Sequence, residues 1–239
     1  MKYLNTLLVL FLAFGLTAQI TTGSLTMEIT DVNTTMPGGE QMAEMMKGSE
    51  MSMHFTPEKQ VTVSNMKMMG MDMKTLTYVE GTKSTTYMDM MGQKMKYTVD
   101  ITNLSELGIE NEDLSKMYDI TYDKSDTKEI LGFTCYRADV EMDVSSIRNE
   151  ADIPPGMGSM SVIIYMTDEI EMNNFVMKEF QDLKFQGTPL MMSMDMGVMT
   201  MTYEATNFDK DVDSSVFEYP EGDYKEMDPD LLEGFGIRR

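Results

Sequence analysis

From Ser24 onward apolar and polar residues alternate with a period of two. Leu25, Met27 and Ile29 oppose Thr26, Glu28 and Thr30, which predicts a strand with one buried face. A Gly/Pro turn at 36–39 leads into residues 40–47, where Met42, Met45 and Met46 fall at helical spacing and predict a short helix or lid with one apolar side. Residues 50–100 read as strand and turn throughout, with alternating pairs such as Met51/Met53/Phe55, Val61/Val63 and Met95/Tyr97/Val99 punctuated by Pro57, Gly70, Gly81 and Gly92. Antiparallel hairpins follow from that punctuation.

Residues 103–117 carry capping residues, early acids and spaced leucines, and predict one or two short helices interrupted near Gly108. Strands resume over 120–123, 129–143 and 160–167, and the last is apolar on both faces, which predicts a central position in the sheet. Residues 173–183 predict a helix capped by Asn173 and Asn174, with Val176, Met177, Phe180 and Leu183 on one side. A strand pair around Gly197 spans 190–208, a short closing strand spans 215–219, and a polar tail begins at about 228. The fold class is mainly β, of the α+β kind, with an antiparallel sheet and two or three covering helices.

The start of the chain changes where this fold is expected to operate. Lys2 followed by LLVLFLAFGL (7–16) reads as a secretory signal, because that apolar run is too short to span a bilayer as a helix. Cleavage is expected after Ala18, with Thr17 as the alternative, leaving 19–239 as a single domain. No Cys follows the run, so a lipoprotein signal is not expected, and no later stretch is long and apolar enough for a transmembrane helix. The mature protein is expected to be periplasmic or secreted.

Composition then narrows the chemistry. There are 40 Asp+Glu against 19 Lys+Arg, a net charge of −21 that becomes −22 once Lys2 is removed. A field of that sign repels nucleic acid. One His and one Cys in 239 residues exclude a Cys/His zinc site, an iron–sulfur cluster and an internal disulfide. No Gly-x-Ser-x-Gly, HExxH or phosphate-loop motif is present, and a single imidazole leaves little for acid–base catalysis, so the chain is not expected to be an enzyme. What stands out is 31 Met with no Trp. Unbranched thioethers fill irregular apolar space and adapt to varied partners.

The segment DTKEILGFTCYRADV at Asp126 resembles a pattern of exported proteins of Bacteroidota-type bacteria, "polar, Lys, x, Ile, x, Gly, aromatic, x, Cys". YMTDEI at Tyr165 and VFEYPEGDYKEMD at Val216 resemble further segments of the same uncharacterised, often Met-rich family, with gaps across the C-terminal half. That family looks related to the LolA/LolB lipoprotein-carrier superfamily. The resemblance implies a strongly bent antiparallel sheet wrapped as an incomplete barrel, helices plugging its open side, an apolar cavity between, and no known catalytic residues.

Three MDM units, at 71–73, 88–90 and 194–196, would place two thioethers on one face of a strand and a carboxylate on the other. The residues expected to line a ligand cavity are Met66, Met68, Met71, Met73, Met88, Met90, Met192, Met194 and Met196, with Met42, Met45 and Met46 on the covering helix. The partner would be a hydrophobic small molecule or lipid, with an envelope protein as a further partner and no cofactor. Soft thioethers also select Cu(I) or Ag(I), and the metal alternative uses Met51, Met53, His54, Met71, Met73, Met194 and Met196. Strand alternation opposes His54 to Met51 and Met53 unless a bulge intervenes, and otherwise leaves His54 as a surface residue. Two further readings of the methionines are sacrificial oxidation and burial between subunits.

Cys135 reads as a buried small hydrophobe. Asp209, Asp211 and Asp213 have the opening spacing of a calcium loop but lack its Gly and its terminal Glu, and read as an acidic turn.

Overall fold

The computed structural model describes residues 19–36, 38–68, 71–90, 92–100, 118–143, 159–172 and 187–227. Its strands are β1 (Gly23–Thr34), β2 (Glu50–Phe55), β3 (Lys59–Met68), β4 (Met71–Glu80), β5 (Lys83–Met90), β6 (Gln93–Asp100), β7 (Tyr118–Ile130), β8 (Phe133–Asp143), β9 (Ser159–Thr167), β10 (Thr188–Asp195), β11 (Met199–Asp209) and β12 (Lys225–Glu226). One α-helix, α1 (Gly39–Met46), lies between β1 and β2. The helices expected at 103–117 and 173–183, and the tail from 228, lie outside the described residues.

All the strands join one open sheet in the order β12-β6-β5-β4-β3-β2-β1-β11-β10-β9-β8-β7. Neighbours run antiparallel except for the short parallel pair β12–β6. Curvature is visible in one contact. β8 and β11 are three strand spacings apart, about 14 Å in a flat sheet, yet the Phe133 and Phe208 rings meet edge to face at 5.1 Å between centroids.

The two-residue period of the chain is realised as burial. In β1, Leu25, Met27 and Ile29 are buried and the residues between them are not; a bulge at Thr30/Asp31 then shifts the phase, so that Val32 returns to the buried face. Leu25, Met27 and Phe55 are at 0% exposure, and each such side chain is worth roughly 1.5–3 kcal/mol of burial. They belong to a core at one end of the sheet that also holds Phe133, Cys135, Ile170 and Leu190. Gly23 is required there, since a Cβ would come within 2.9 Å of the Asp209 carbonyl and 3.0 Å of the Phe208 ring.

Three expectations are corrected. Residues 129–143 are not one strand but the hairpin β7–β8, turned at Leu131 (φ 52°) and Gly132 (φ 83°). Two successive positive φ values make the tight turn that matches strand twist, and an apolar Leu in the first place disguised it. Residues 215–219 do not form a strand: Ser214–Phe217 is a 3-10 turn whose N-cap, Asp213, accepts from the Ser215 amide at 2.9 Å. β9 is buried on both faces, with Val162, Ile164 and Met166 on one and Tyr165 on the other, but β1 and β2 occupy the middle of the sheet. Apolar residues on both sides of a strand report two covered faces, which a strand near the sheet edge can also have.

Candidate functional site: the methionine face

Cross-strand partners share a face, so the register assigns each strand residue to one side of the sheet. Starting from β1, one row runs Leu25–Met53–Thr62–Thr77–Thr86–Tyr97 and the next Met27–Met51–Ser64–Thr75–Met88–Met95. A third contains the pair Met66–Met73. On the other side of β1 the same face continues through Met199 and Met201 of β11, Met192 and Met194 of β10, Met160 and Met166 of β9, and Met142 of β8. Among the described strand methionines that the register assigns in this way, Met191 alone takes the opposite face, where the Lys128 Nζ lies 3.6 Å from its sulfur.

A second property of this face follows from the same register. In β1–β6 and β8–β11 no position on it holds Asp, Glu, Lys, Arg or His. In β7, Glu129 is at such a position, exposed beside the β7–β8 turn. In the other strands charge lies on the opposite side, as in the row Lys74–Asp89–Lys94, and in Arg137, which donates to both Asp139 oxygens at 2.9 and 3.0 Å.

α1 covers part of the methionine face. Ala43 is buried against Ile29, Val32 and Met201, and Met46 packs on the same cluster with Met194, Met196, Met199 and Tyr203. Glu40 in its first turn suits the positive end of the helix dipole. A separate thioether group forms at the far side of the sheet, where Met227, beside β6, is buried with Met88 against Met95 and Tyr97.

Of the residues expected to line a cavity, the structure brings Met46, Met194 and Met196 into one cluster. Met192 and Met194 pack on a neighbouring cluster built on Val162 and Ile164. Met88 belongs to the Met227 group. Met66 and Met73 are register partners, as are Met68 and Met71, while Met90 pairs with Gln93. Met42 and Met45 are in α1.

The metal set does not converge in this way. β2 pairs without interruption to β1 and β3, so no bulge turns His54 toward Met51 and Met53. His54 is instead half-buried on the opposite face, its Nδ1 has no hydrogen-bond partner among the described residues, and burial holds its pKa below the usual imidazole value. Met71 and Met73 on β4 are five strand positions from Met194 on β10, about 24 Å along the sheet. Among the described residues no group of three or more His, Cys, Asp and Glu is disposed to hold a metal ion. The acidic triplet is used locally: Asp209 accepts from the Asp211 amide at 3.0 Å and Asp213 caps the 3-10 turn. Cys135 is fully buried, and its thiol pKa is pushed up to about 11, chiefly by that burial.

Sequence reasoning missed a polar feature of the methionine face. Gln60 is 2% exposed, and its Oε1, like the Thr62 Oγ1 two residues on, is buried with no hydrogen-bond partner among the described residues. Nearby hydroxyls are paired, with Thr77 and Thr86 Oγ1 atoms 3.0 Å apart. An unpaired buried polar group costs roughly 1–3 kcal/mol. The available signal was the polar residue at each of the positions 60, 62 and 64, in phase with Met66.

No protein-family model matches the chain, and no curated protein matches it in sequence. Among solved structures it is similar to the Mycobacterium tuberculosis lipoprotein LppX, at 9% identity and a TM-score of 0.40 over 81% of this chain and 89% of that one. LprF from Mycobacterium bovis is similar at 13% identity and a TM-score of 0.36, over 84% and 90% of the two chains. A DUF1329 family protein from Desulfovibrio piger is similar at 9% identity and 0.37, over 85% and 92%. At these scores the likeness is a broad one of fold, and nothing about a ligand follows from it. Among the described residues no helix is long and apolar enough to cross a membrane.

Proposed function

We propose that the chain is an exported, non-enzymatic binding or carrier protein that holds an apolar ligand, a lipid or acyl chain, against its methionine face. The observation that carries this reading is a face without charge across β1–β6 and β8–β11 in a chain of net charge −21, populated by thioethers and partly roofed by a short helix. An acidic protein gains solubility from charge everywhere it can bear it. A broad side kept free of charge therefore meets something apolar. Thioethers with three rotatable bonds repack around chains of different shape. The ligand-lining set in this proposal remains Met66, Met68, Met71, Met73, Met88, Met90, Met192, Met194 and Met196 under Met42, Met45 and Met46. Export is proposed from the short apolar run behind Lys2.

Cu(I) buffering by thioethers has less support, because the one imidazole faces away from Met51 and Met53 and the thioether pairs of that set are distributed across the sheet. The test is native mass spectrometry of the mature protein purified from its own cell envelope, repeated after anaerobic addition of Cu(I). The expected result is an organic adduct of a few hundred daltons, extractable with solvent, and no tight Cu(I) uptake. Stoichiometric Cu(I) held against a competing chelator, with no organic adduct, would overturn the carrier reading.

A further inference from the structure

The unpaired polar atoms on the methionine face say more about the ligand. Buried hydrogen-bonding groups are nearly always paired, and each exception calls for a cause. Here two exceptions, Gln60 Oε1 and Thr62 Oγ1, come from alternate residues of β3 on one face of the sheet, about 7 Å apart along the strand. Their strand neighbours on that face are Phe55 and Val79 beside Gln60 and Met53 and Thr77 beside Thr62; the first three offer no side-chain donor, and the Thr77 hydroxyl is paired with that of Thr86 at 3.0 Å. Four residues further along β3, about 13 Å away, is Met66. Between them Ser64, flanked by Met51 and Thr75, keeps the face uncharged, so the two unpaired atoms lie at one end of an uncharged track that ends on the Met66–Met73 pair.

We infer that the ligand is an uncharged amphiphile, whose hydroxyl or N–H group bonds Gln60 and Thr62 while its hydrocarbon portion runs along β3 toward Met66 and Met73. The inference rests on the carrier reading and narrows it. An amide oxygen accepts and a threonine hydroxyl both donates and accepts, so the complementary group must supply at least one donor. A carboxylate or phosphate does not fit. No register position on this face of β2–β6 carries a cation to pair with it, and an anion would enter against the field of a chain with net charge −21. Neutral lipids bearing a free hydroxyl or amide meet both conditions; a fatty acid anion meets neither, and a phospholipid head group fails the second through its phosphate.

The experiment displaces N-phenylnaphthylamine, an uncharged apolar dye, from the delipidated full-length mature protein. The competitors are monooleoylglycerol and ionised oleate, which share one acyl chain and differ in head group. Monooleoylglycerol is expected to displace the dye at a concentration at least about tenfold lower. The double variant Gln60→Leu/Thr62→Val is expected to lose that preference, its two competitors displacing the dye at concentrations within about twofold of each other. Oleate competing as well as monooleoylglycerol would overturn the inference and leave the carrier reading standing, and so would a preference that survives in the variant. Failure of wild type to bind the dye and both lipids would end the carrier reading itself. Should the double variant not fold, the wild-type comparison and the isosteric single variant Thr62→Val decide the matter.

Discussion

His54 and Thr62 sit on opposite faces of adjoining strands, and each has one buried polar atom with no hydrogen-bond partner among the described residues. For His54 the consequence is a pH dependence. Burial favours the neutral ring and lowers its folded pKa below the ordinary imidazole value of 6.5. Above 6.5 both folded and unfolded states are neutral and the full stability is present. As pH falls through that value the unfolded chain takes up the proton first, and stability is lost until the folded pKa is passed. Denaturant unfolding at pH 7.5 and 5.5 should show a smaller loss for His54→Asn than for wild type. Equal losses would mean that the imidazole does not titrate against burial. The carboxylates held low by hydrogen bonds, Glu80 by Lys59 and Tyr219 and Asp123 by Ser125, act in a more acid window, below their ordinary values of 4.5 and 3.8.

Thr62 makes a complementary prediction. Replacing an unpaired buried hydroxyl by a methyl removes a desolvation cost without changing volume. Thr62→Val in the ligand-free protein should therefore raise stability by about 1 kcal/mol in a urea titration. A loss of that size would show that the hydroxyl has a partner in the folded state.

At the scale of elements, the β7–β8 hairpin departs from what its residues prefer. Leu131 holds a left-handed backbone conformation (φ 52°) while its side chain is 43% exposed, so it carries strain with little burial in return. Asn tolerates this conformation better, and Leu131→Asn should stabilise the protein by about 1 kcal/mol, read as a rise in the melting temperature. An unchanged or lower melting temperature would mean that the Leu side chain contributes packing that offsets the strain. The 3-10 turn with the segment after it is a second local element whose role depends on distant contacts. Tyr219 packs on Tyr78 and Tyr87 at 4.9 and 5.9 Å, Tyr224 meets Tyr87 at 5.0 Å, and the Tyr78 hydroxyl donates to the Glu218 carbonyl at 2.7 Å. This strap covers the charged side of β4 and β5 and delivers Met227 beside β6, where its amide donates to the Lys96 carbonyl at 2.8 Å.

For the whole molecule the governing fact is the division of the sheet into a charged side and an uncharged one. A net charge of −21 on such a chain is self-repulsive, and mobile ions screen it over a distance of about 10 Å at 0.1 M salt. Adding sodium chloride at neutral pH should raise the melting temperature, most steeply below about 0.1 M. No salt effect would mean that opposite charges such as Lys74, Asp89 and Lys94 already cancel the repulsion locally. The division also explains why so many methionines coexist with so acidic a composition: apart from Met191 and Glu129, the strand methionines and the strand charges that the register assigns lie on opposite sides.

Within each strand that division was legible in the sequence, because a period of two forces alternate residues to opposite faces wherever a strand forms. Leu25, Met27 and Ile29 announced β1, the MDM units announced thioethers opposed to carboxylates, and the spacing of Met42, Met45 and Met46 announced α1. Local chemistry is enough for such features, since they depend on neighbours within a few residues. Other features depended on residues far apart in the chain. Only the register, set by pairings such as Met53 with Thr62 and Met192 with Tyr203, showed that the methionines of separate strands share one face. Only the strand order showed that β1 and β2, and not β9, occupy the middle, and that the methionines grouped with His54 as a metal set are spread across the sheet. Burial of Gln60 and Thr62 without partners was likewise decided by packing. A polar residue in a strand carries the same local signal whether its neighbours satisfy it or leave it for a ligand.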